Sequence, residues 1–359
     1  MKKAIPQIIV ADYFSQFIKA SITGKRLGAS CKKVTNGTIK NYRYVQQLLD
    51  DFEDHSYTTL RILILNRASI KTIQNERKYW INFYKKFSTY LYNEKRYSDN
   101  YVSSLFKIIK TFFNYLQIEK GFCVGSYHKL FKVPMKIISP VVLQPERLQY
   151  LISNKEFEES LHPNLKRVKD IFVFGCTVAL RVSDLMNLQK KNIVTNGNET
   201  YLKLFTKKTG AELNIQLPEY AIEIINRHKK NTGKFILPRL SVTNLNIQIK
   251  KLIKCAGWDY PLVKVISKQG KLIEIKNRDG KIWRFYEHIT AHSMRRTAIT
   301  TLLILGVPEL VVRKLSGHTP GSKEFYRYIA IAEEYLNKEV KIAFKKLIDL
   351  DFSTDGIKR

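Results

Sequence analysis

Residues 290–328 read TAHSMRRTAITTLLILGVPELVVRKLSGHTPGSKEFYRY, and His292, Arg295, His318 and Tyr328 in this stretch carry groups able to act together on a small anion. Arg295 follows His292 by three positions, so on a helix the two side chains share one face. The apolar run Ile299, Leu302, Leu303, Leu305 and Val307 is expected to bury the opposite side and hold that face rigid. Gly306 and Pro308 should end this helix, and Leu310, Val311, Val312 and Leu315 should form a second one leading to Gly317-His318. A single His-x-x-Arg recurs by chance in many proteins, so its meaning depends on what accompanies it.

Two further groups do. Val168, Ile171, Phe172, Phe174, Val178 and Leu180 predict a buried helix broken at ALRVSDLMNLQ, which places Arg181 next to apolar neighbours. A buried arginine needs an anion, and Asp184 is the carboxylate expected to orient it, a plain structural ion pair being the simpler alternative. Alternating apolar residues (Leu202, Leu204; Leu213, Ile215, Leu217) around Lys207-Lys208-Thr209-Gly210 predict a hairpin with a basic turn. A lysine on such a tip is usually only solvated, but Lys208 could also swing into a site as a mobile proton donor.

The elements that must position these groups fit a chain of 359 residues, enough for two domains. With 62 Lys and Arg against 31 Asp and Glu, the net charge is +31, which points to a polyanion, nucleic acid first. No window approaches the length of apolar sequence that spans a membrane, and Gln7 and Asp12 interrupt any signal-peptide core, so a cytoplasmic protein is expected. Cys31, Cys123, Cys176 and Cys255 are widely spaced without neighbouring histidines suited to zinc. No glycine-rich phosphate loop and no acidic cluster for magnesium occurs, so no cofactor and no metal is called for.

The first part of the chain reads as helical. Thr38 is expected to cap a helix through Val45, Leu48, Leu49 and Phe52. Tyr79, Trp80, Phe83, Tyr84, Phe87, Tyr90 and Leu91 mark a second, and Ser98-Asp99 should cap a third through Val102, Leu105, Phe106, Ile109, Phe112, Phe113 and Leu116. Aromatic stripes at this spacing are core more readily than base-stacking platforms. Lys40, Arg43, Lys71, Arg77, Lys107 and Lys110 on the other faces are candidates for phosphate contacts, which position a protein without reading bases. Gly121, Gly125, Pro134 and Pro140 mark a linker, after which Pro145-Glu146 opens a new helix. Short strands near 262–266 and 271–276 read as an inserted sheet element with no assigned chemistry.

Arg181 in ALRVSDL, Lys208 in the KTG turn, His292 and Arg295 in HSMRR, His318 in SGH and a following tyrosine together resemble the tyrosine recombinases, the phage integrase family. HSMRRTA, SGH and F-x-x-Y-I at Phe325 to Ile329 are similar to integrases of Bacteroides-type mobile elements. The resemblance is specific over residues 143–345 and generic over 36–125. It implies a mainly α fold with a small β-sheet and hairpins: an N-terminal extension (1–35), a helical, SAM-like core-binding domain (36–125), a linker (126–142) and an α+β catalytic domain (143–350).

The activity it implies is site-specific cleavage and rejoining of double-stranded DNA through a 3′-phosphotyrosine and a free 5′-hydroxyl. Arg181 and Arg295, with His292 and His318 assisting, would stabilise the charge developing on the phosphate, each donor contributing about 3–4 kcal/mol. Lys208 would protonate the leaving oxygen, and the covalent bond would conserve the phosphodiester's energy. The amphipathic segment 331–347, with Leu336, Val340, Phe344 and Leu347, would be exchanged between subunits of a homotetramer on two DNA sites, or else cap its own chain. One departure stands out. The family's nucleophile usually lies nine positions after the histidine of the GH motif, and that position is Arg327, flanked by Tyr326 and Tyr328. One extra residue in the loop 319–323 brings Tyr328 into register and leaves Tyr326 to pack or touch DNA. A non-cleaving DNA-binding regulator and a type IB topoisomerase-like enzyme are the alternatives; the set of candidate catalytic residues speaks against the first, the small helical domain and the length against the second.

Overall fold

The computed structural model describes residues 5–28, 31–134, 136–207, 210–230, 232–319 and 321–348. Two compact units divide the chain: Met1–Ile138 with Val265–Ile275, and Ser139–Lys264 with Lys276–Arg359.

The first unit contains β1 (Gln7–Ile9), α1 (Val10–Thr23), α2 (Asn36–Ser56), β2 (Arg61–Leu63), α3 (Ile70–Asn93) and α4 (Asp99–Asn114). Helix α2 begins earlier than the sequence predicts: Thr35, not Thr38, is the cap, its hydroxyl accepting from the Thr38 backbone N–H at 3.3 Å. Phe14 and Phe17 of α1 lie in one core with Trp80, Phe83 and Phe87 of α3 and Phe106, Phe112 and Phe113 of α4. The segment set apart as an extension therefore shares the bundle's core, and the aromatic stripes are that core. Val124, Tyr127 and Phe131 join it as well, which shortens the stretch read as a linker.

The second unit runs through α5 (Pro145–Ser153), α6 (Lys155–Ser160), α7 (Pro163–Val178), α8 (Val182–Leu185), β3 (Ile193–Asn196), β4 (Glu199–Phe205), β5 (Glu212–Gln216), α9 (Glu219–His228) and α10 (Val242–Cys255). Its sheet is antiparallel in the order β3-β4-β5, with Leu202 opposite Ile215 and Leu204 opposite Leu213, their side chains buried under the helices. The chain then forms the hairpin β6 (Lys264–Lys268) and β7 (Lys271–Ile275), whose residues 265–275 belong to the first unit. It continues with α11 (Phe285–His288), α12 (Ala291–Ile304), α13 (Glu309–Ser316) and α14 (Lys323–Ile348).

Asp99 explains where the hairpin sits. Expected to help cap α4, it is instead fully buried and accepts from Tyr92 Oη at 2.7 Å, Ser267 Oγ at 2.5 Å and the backbone N–H groups of Gln269 and Gly270 at 2.7 and 3.0 Å. Burial by itself raises its pKa, but these donors prevail and hold the carboxyl below its ordinary value. Among the described residues, no helix is long and apolar enough to cross a membrane.

Candidate active site

Helices α7 and α12 cross closely because Gly175 has no side chain: a Cβ there would lie 2.5 Å from Met294 Sδ and 3.0 Å from a methyl of Leu185. Helix α7 ends at Ala179, which adopts the left-handed conformation (φ 53°) and is buried. That conformation is uncommon without glycine and turns the chain sharply, so that Arg181 occupies the N-cap position of α8. Arg181 is half-buried, and its Nη1 is buried with no hydrogen-bond partner among the described residues.

Arg295 comes from α12 and is only 3% exposed. Its Nη1 donates to the Ala179 carbonyl at 2.9 Å, so the strained end of α7 anchors it, while Nη2 lies 3.3 Å from both ring nitrogens of His318. Loss of water, and next the charge of Arg181, lower its pKa to about 10. His318 follows Gly317, whose φ of 62° supplies the left-handed C-cap that ends α13 and turns the chain toward α14. The His318 Nδ1 is 2.8 Å from Ser316 Oγ, and burial, followed by Arg295, Arg181 and Arg313, lowers the imidazole pKa to about 4. His292 keeps an exposed face, and its pKa is lowered by desolvation of the remainder and then by Arg296, Arg295 and Arg181. Both histidines are thus held neutral at pH 7.

The first turns of α14 distinguish the two tyrosines. Tyr328 is 6% exposed; its ring lies 6.0 Å from that of His318 and 6.1 Å from that of Phe325, in a small core with Ala179, Ala298, Ile299 and Val312. Tyr326 is 55% exposed and lies under the Arg313 guanidinium at 5.1 Å. Arg313, which the sequence reading passed over, also covers the Phe325 ring at 4.1 Å and pairs with Glu309.

The other expected residues fare differently. Asp184 is buried, but its Oδ1 accepts from the Lys207 backbone N–H at 3.1 Å and no hydrogen bond joins it to Arg181 among the described residues. One turn into α8, it reaches the β4–β5 hairpin and steadies that turn. Lys208 lies outside the described residues. Of the expected buried side of α12, Ile299 is fully buried whereas Leu305, just past the helix end, is 68% exposed. Lys40, Arg43, Lys71, Arg77 and Lys107 are exposed and Lys110 is half-buried; none forms an ion pair among the described residues.

Arg181, Arg295, His292 and His318 thus bring two guanidinium and two imidazole groups together near the buried Tyr328 ring, with no ion-paired acid among the described residues; the charges of Asp184 and Glu324 act on Arg295 without a hydrogen bond to it. A sequence comparison with curated proteins gave no match. Solved structures are similar in fold. The Tn1549 transposon integrase in complex with circular intermediate DNA matches at 14% identity with a TM-score of 0.52, covering 89% of this chain and 94% of that one. A lambda integrase dimer bound to a COC′ core site matches at 12% identity with a TM-score of 0.52, covering 90% and 77%. A lambda integrase tetramer bound to a Holliday junction matches at 12% identity with a TM-score of 0.52, covering 88% and 79%. The model of the phage integrase family matches residues 142–334, more than half of the sequence and all of the site just described. The chain belongs to the phage integrase family.

Proposed function

We propose that the protein is a site-specific DNA recombinase of the tyrosine type, similar in its motifs to integrases of Bacteroides-type mobile elements and acting in the cytoplasm on double-stranded DNA. The observation that carries this reading is the burial of Tyr328 against His318 beside Arg295, in a pocket whose cationic donors have no paired anion among the described residues. A scissile phosphate supplies that anion: Arg181 and Arg295 bind its non-bridging oxygens through their planar donor forks. Tyr328 Oη attacks phosphorus, the bond to the 5′-oxygen breaks, and a 3′-phosphotyrosine forms. The tyrosine proton passes to His292, neutral at pH 7, and Lys208 supplies a proton to the departing 5′-oxygen. Reversal with a new 5′-hydroxyl rejoins the strand without ATP or metal.

The reading of a homotetramer on two sites is supported by α14. The helix runs unbroken from Lys323 to Ile348, and Tyr335 near its middle hydrogen-bonds to Glu146 of the same unit. Beyond that tether Leu336, Val340 and Phe344 are 42%, 51% and 63% exposed at a four-residue spacing, an apolar stripe suited to a second copy of the chain. The Leu347 side chain lies outside the described ones.

Two differently labelled DNA sites, taken from the mapped ends of the element that flanks the gene, test the reading in buffer containing EDTA. Recombinant strands are expected. Relaxation of supercoils without exchange would favour a topoisomerase-like enzyme, and binding without cleavage a regulator.

A further inference from the structure

Ser316 is fully buried at the last position of α13, and its hydroxyl has one proton to give. Its Oγ is 2.6 Å from the Val312 carbonyl oxygen, a separation two oxygens keep only with a proton between them. The same Oγ lies 2.8 Å from His318 Nδ1. With the serine proton committed to Val312, the proton in this second contact must come from the imidazole. Arg295 Nη2 lies 3.3 Å from Nε2 and equally 3.3 Å from Nδ1. Guanidinium nitrogens only donate, so this group needs a ring nitrogen with a lone pair, and with Nδ1 protonated toward Ser316 that nitrogen is Nε2. Ser316 therefore selects the form of the ring, and the arginine contact is compatible with that form.

Resting on the recombinase reading above, we propose that Ser316 is a positioning residue that fixes His318 as the Nδ1–H tautomer, so that Nε2 faces the reaction site as a proton acceptor. The network runs in one direction: Arg295 donates to His318 Nε2, His318 Nδ1 donates to Ser316, and Ser316 donates to Val312. Each link polarises the next. Neutral His318 thus engages Arg295 in the free protein. When a phosphate oxygen takes over the Nη2 donor, Nε2 is left open beside Tyr328, and it can donate to the phosphate only after taking up a proton. The depressed imidazole pKa agrees with a ring that is neutral before DNA binds.

The tautomer is read directly, without DNA, by two-bond proton–nitrogen correlation spectra of the 15N-histidine-labelled full chain at pH 7, with His318→Gln identifying the signal. The expected spectrum has a pyrrole-type Nδ1 and a pyridine-type Nε2, and the reverse pattern overturns the proposal. Single-turnover cleavage of a nicked DNA substrate is then compared for wild type, Ser316→Ala and Ser316→Thr. Ser316→Ala should bind DNA as wild type does and form adduct about tenfold more slowly, the scale of one lost hydrogen bond in a buried site. Its rate should also follow a shifted pH profile, whereas Ser316→Thr, which keeps the hydroxyl, should recover the rate to within about threefold. Unchanged rate and pH profile in Ser316→Ala would refute the positioning role. Absence of adduct with wild type would count against the recombinase reading, while the spectrum would still decide the tautomer.

Discussion

Replacing Arg295 with methionine should abolish cleavage and raise stability, an unusual pairing that follows from the site's electrostatics. Arg295 is 3% exposed and faces Arg181 with no acid bonded to it, and its pKa is lowered to about 10. Set against the ordinary arginine value, this lowering is a penalty of about 3 kcal/mol for holding the charge in the folded state. The guanidinium recovers part of that by donating to the Ala179 carbonyl, and removing the donor leaves that buried acceptor unpaired at about 1–2 kcal/mol. Methionine has similar volume and fills the space without charge. The net expectation is a gain of about 1–2 kcal/mol, or a rise of roughly 3–6 °C in the melting temperature of a unit of this size. The pH dependence has a definite sign. A base with a depressed folded-state pKa destabilises the fold fully below that value, and the penalty fades as pH rises from it toward the ordinary value of the unfolded chain. The variant's advantage is therefore full from pH 7 to about 10 and shrinks only above that. Differential scanning calorimetry at pH 7 and 10.5, with cleavage measured at pH 7 on the same preparations, checks this. A lower melting temperature for Arg295→Met at pH 7 would show that the arginine is a net structural asset and would refute the picture of a site lacking its anion.

Other expectations concern the scaffold. Asp99→Ala removes an acceptor with four donors and should destabilise the first unit by about 3–5 kcal/mol, with loss of hydrogen-exchange protection at Gln269 and Gly270. Since the Asp99 pKa is lowered, that contribution is present above the ordinary carboxylate pKa and is lost as pH falls through the folded-state value, so wild type and variant should converge in acid. Gly175→Ala places a methyl against Met294 and Leu185 and should lower stability by about 1–3 kcal/mol in thermal melts. Lys107→Ala with Lys110→Ala should weaken DNA binding uniformly across sequences and reduce the slope of log K against log salt by about 2; an unchanged slope would remove them from the interface.

Much of this architecture was legible in periodicity. The apolar spacing of α3, α4 and α7 states its own burial, and the polar residues at 181, 292, 295 and 318 were picked out because charged or titratable groups beside apolar runs need a reason. What the sequence withheld lies in contacts across long separations. Asp99 reads as a helix cap because the capping signal is local, while its partners at 267–270 are far along the chain. Asp184 reads as the partner of Arg181 because both lie on one short segment, yet the carboxylate reaches Lys207. The left-handed Ala179, which gives Arg295 its anchor, has no sequence signal, since alanine is not a residue chosen for that conformation. Ser316 was visible in SGH, but its meaning depends on where its single proton goes.

Tyr328, one position beyond the usual spacing from the GH histidine, is the nucleophile we propose to attack the phosphate. A nicked suicide substrate carrying the cognate site, on which religation is blocked, tests it with wild type, Tyr328→Phe and Tyr326→Phe on denaturing gels. The buried ring at His318 requires that Tyr328→Phe alone eliminate the protein–DNA adduct. Loss of the adduct in Tyr326→Phe with retention in Tyr328→Phe would contradict it and move the nucleophile to the exposed ring under Arg313.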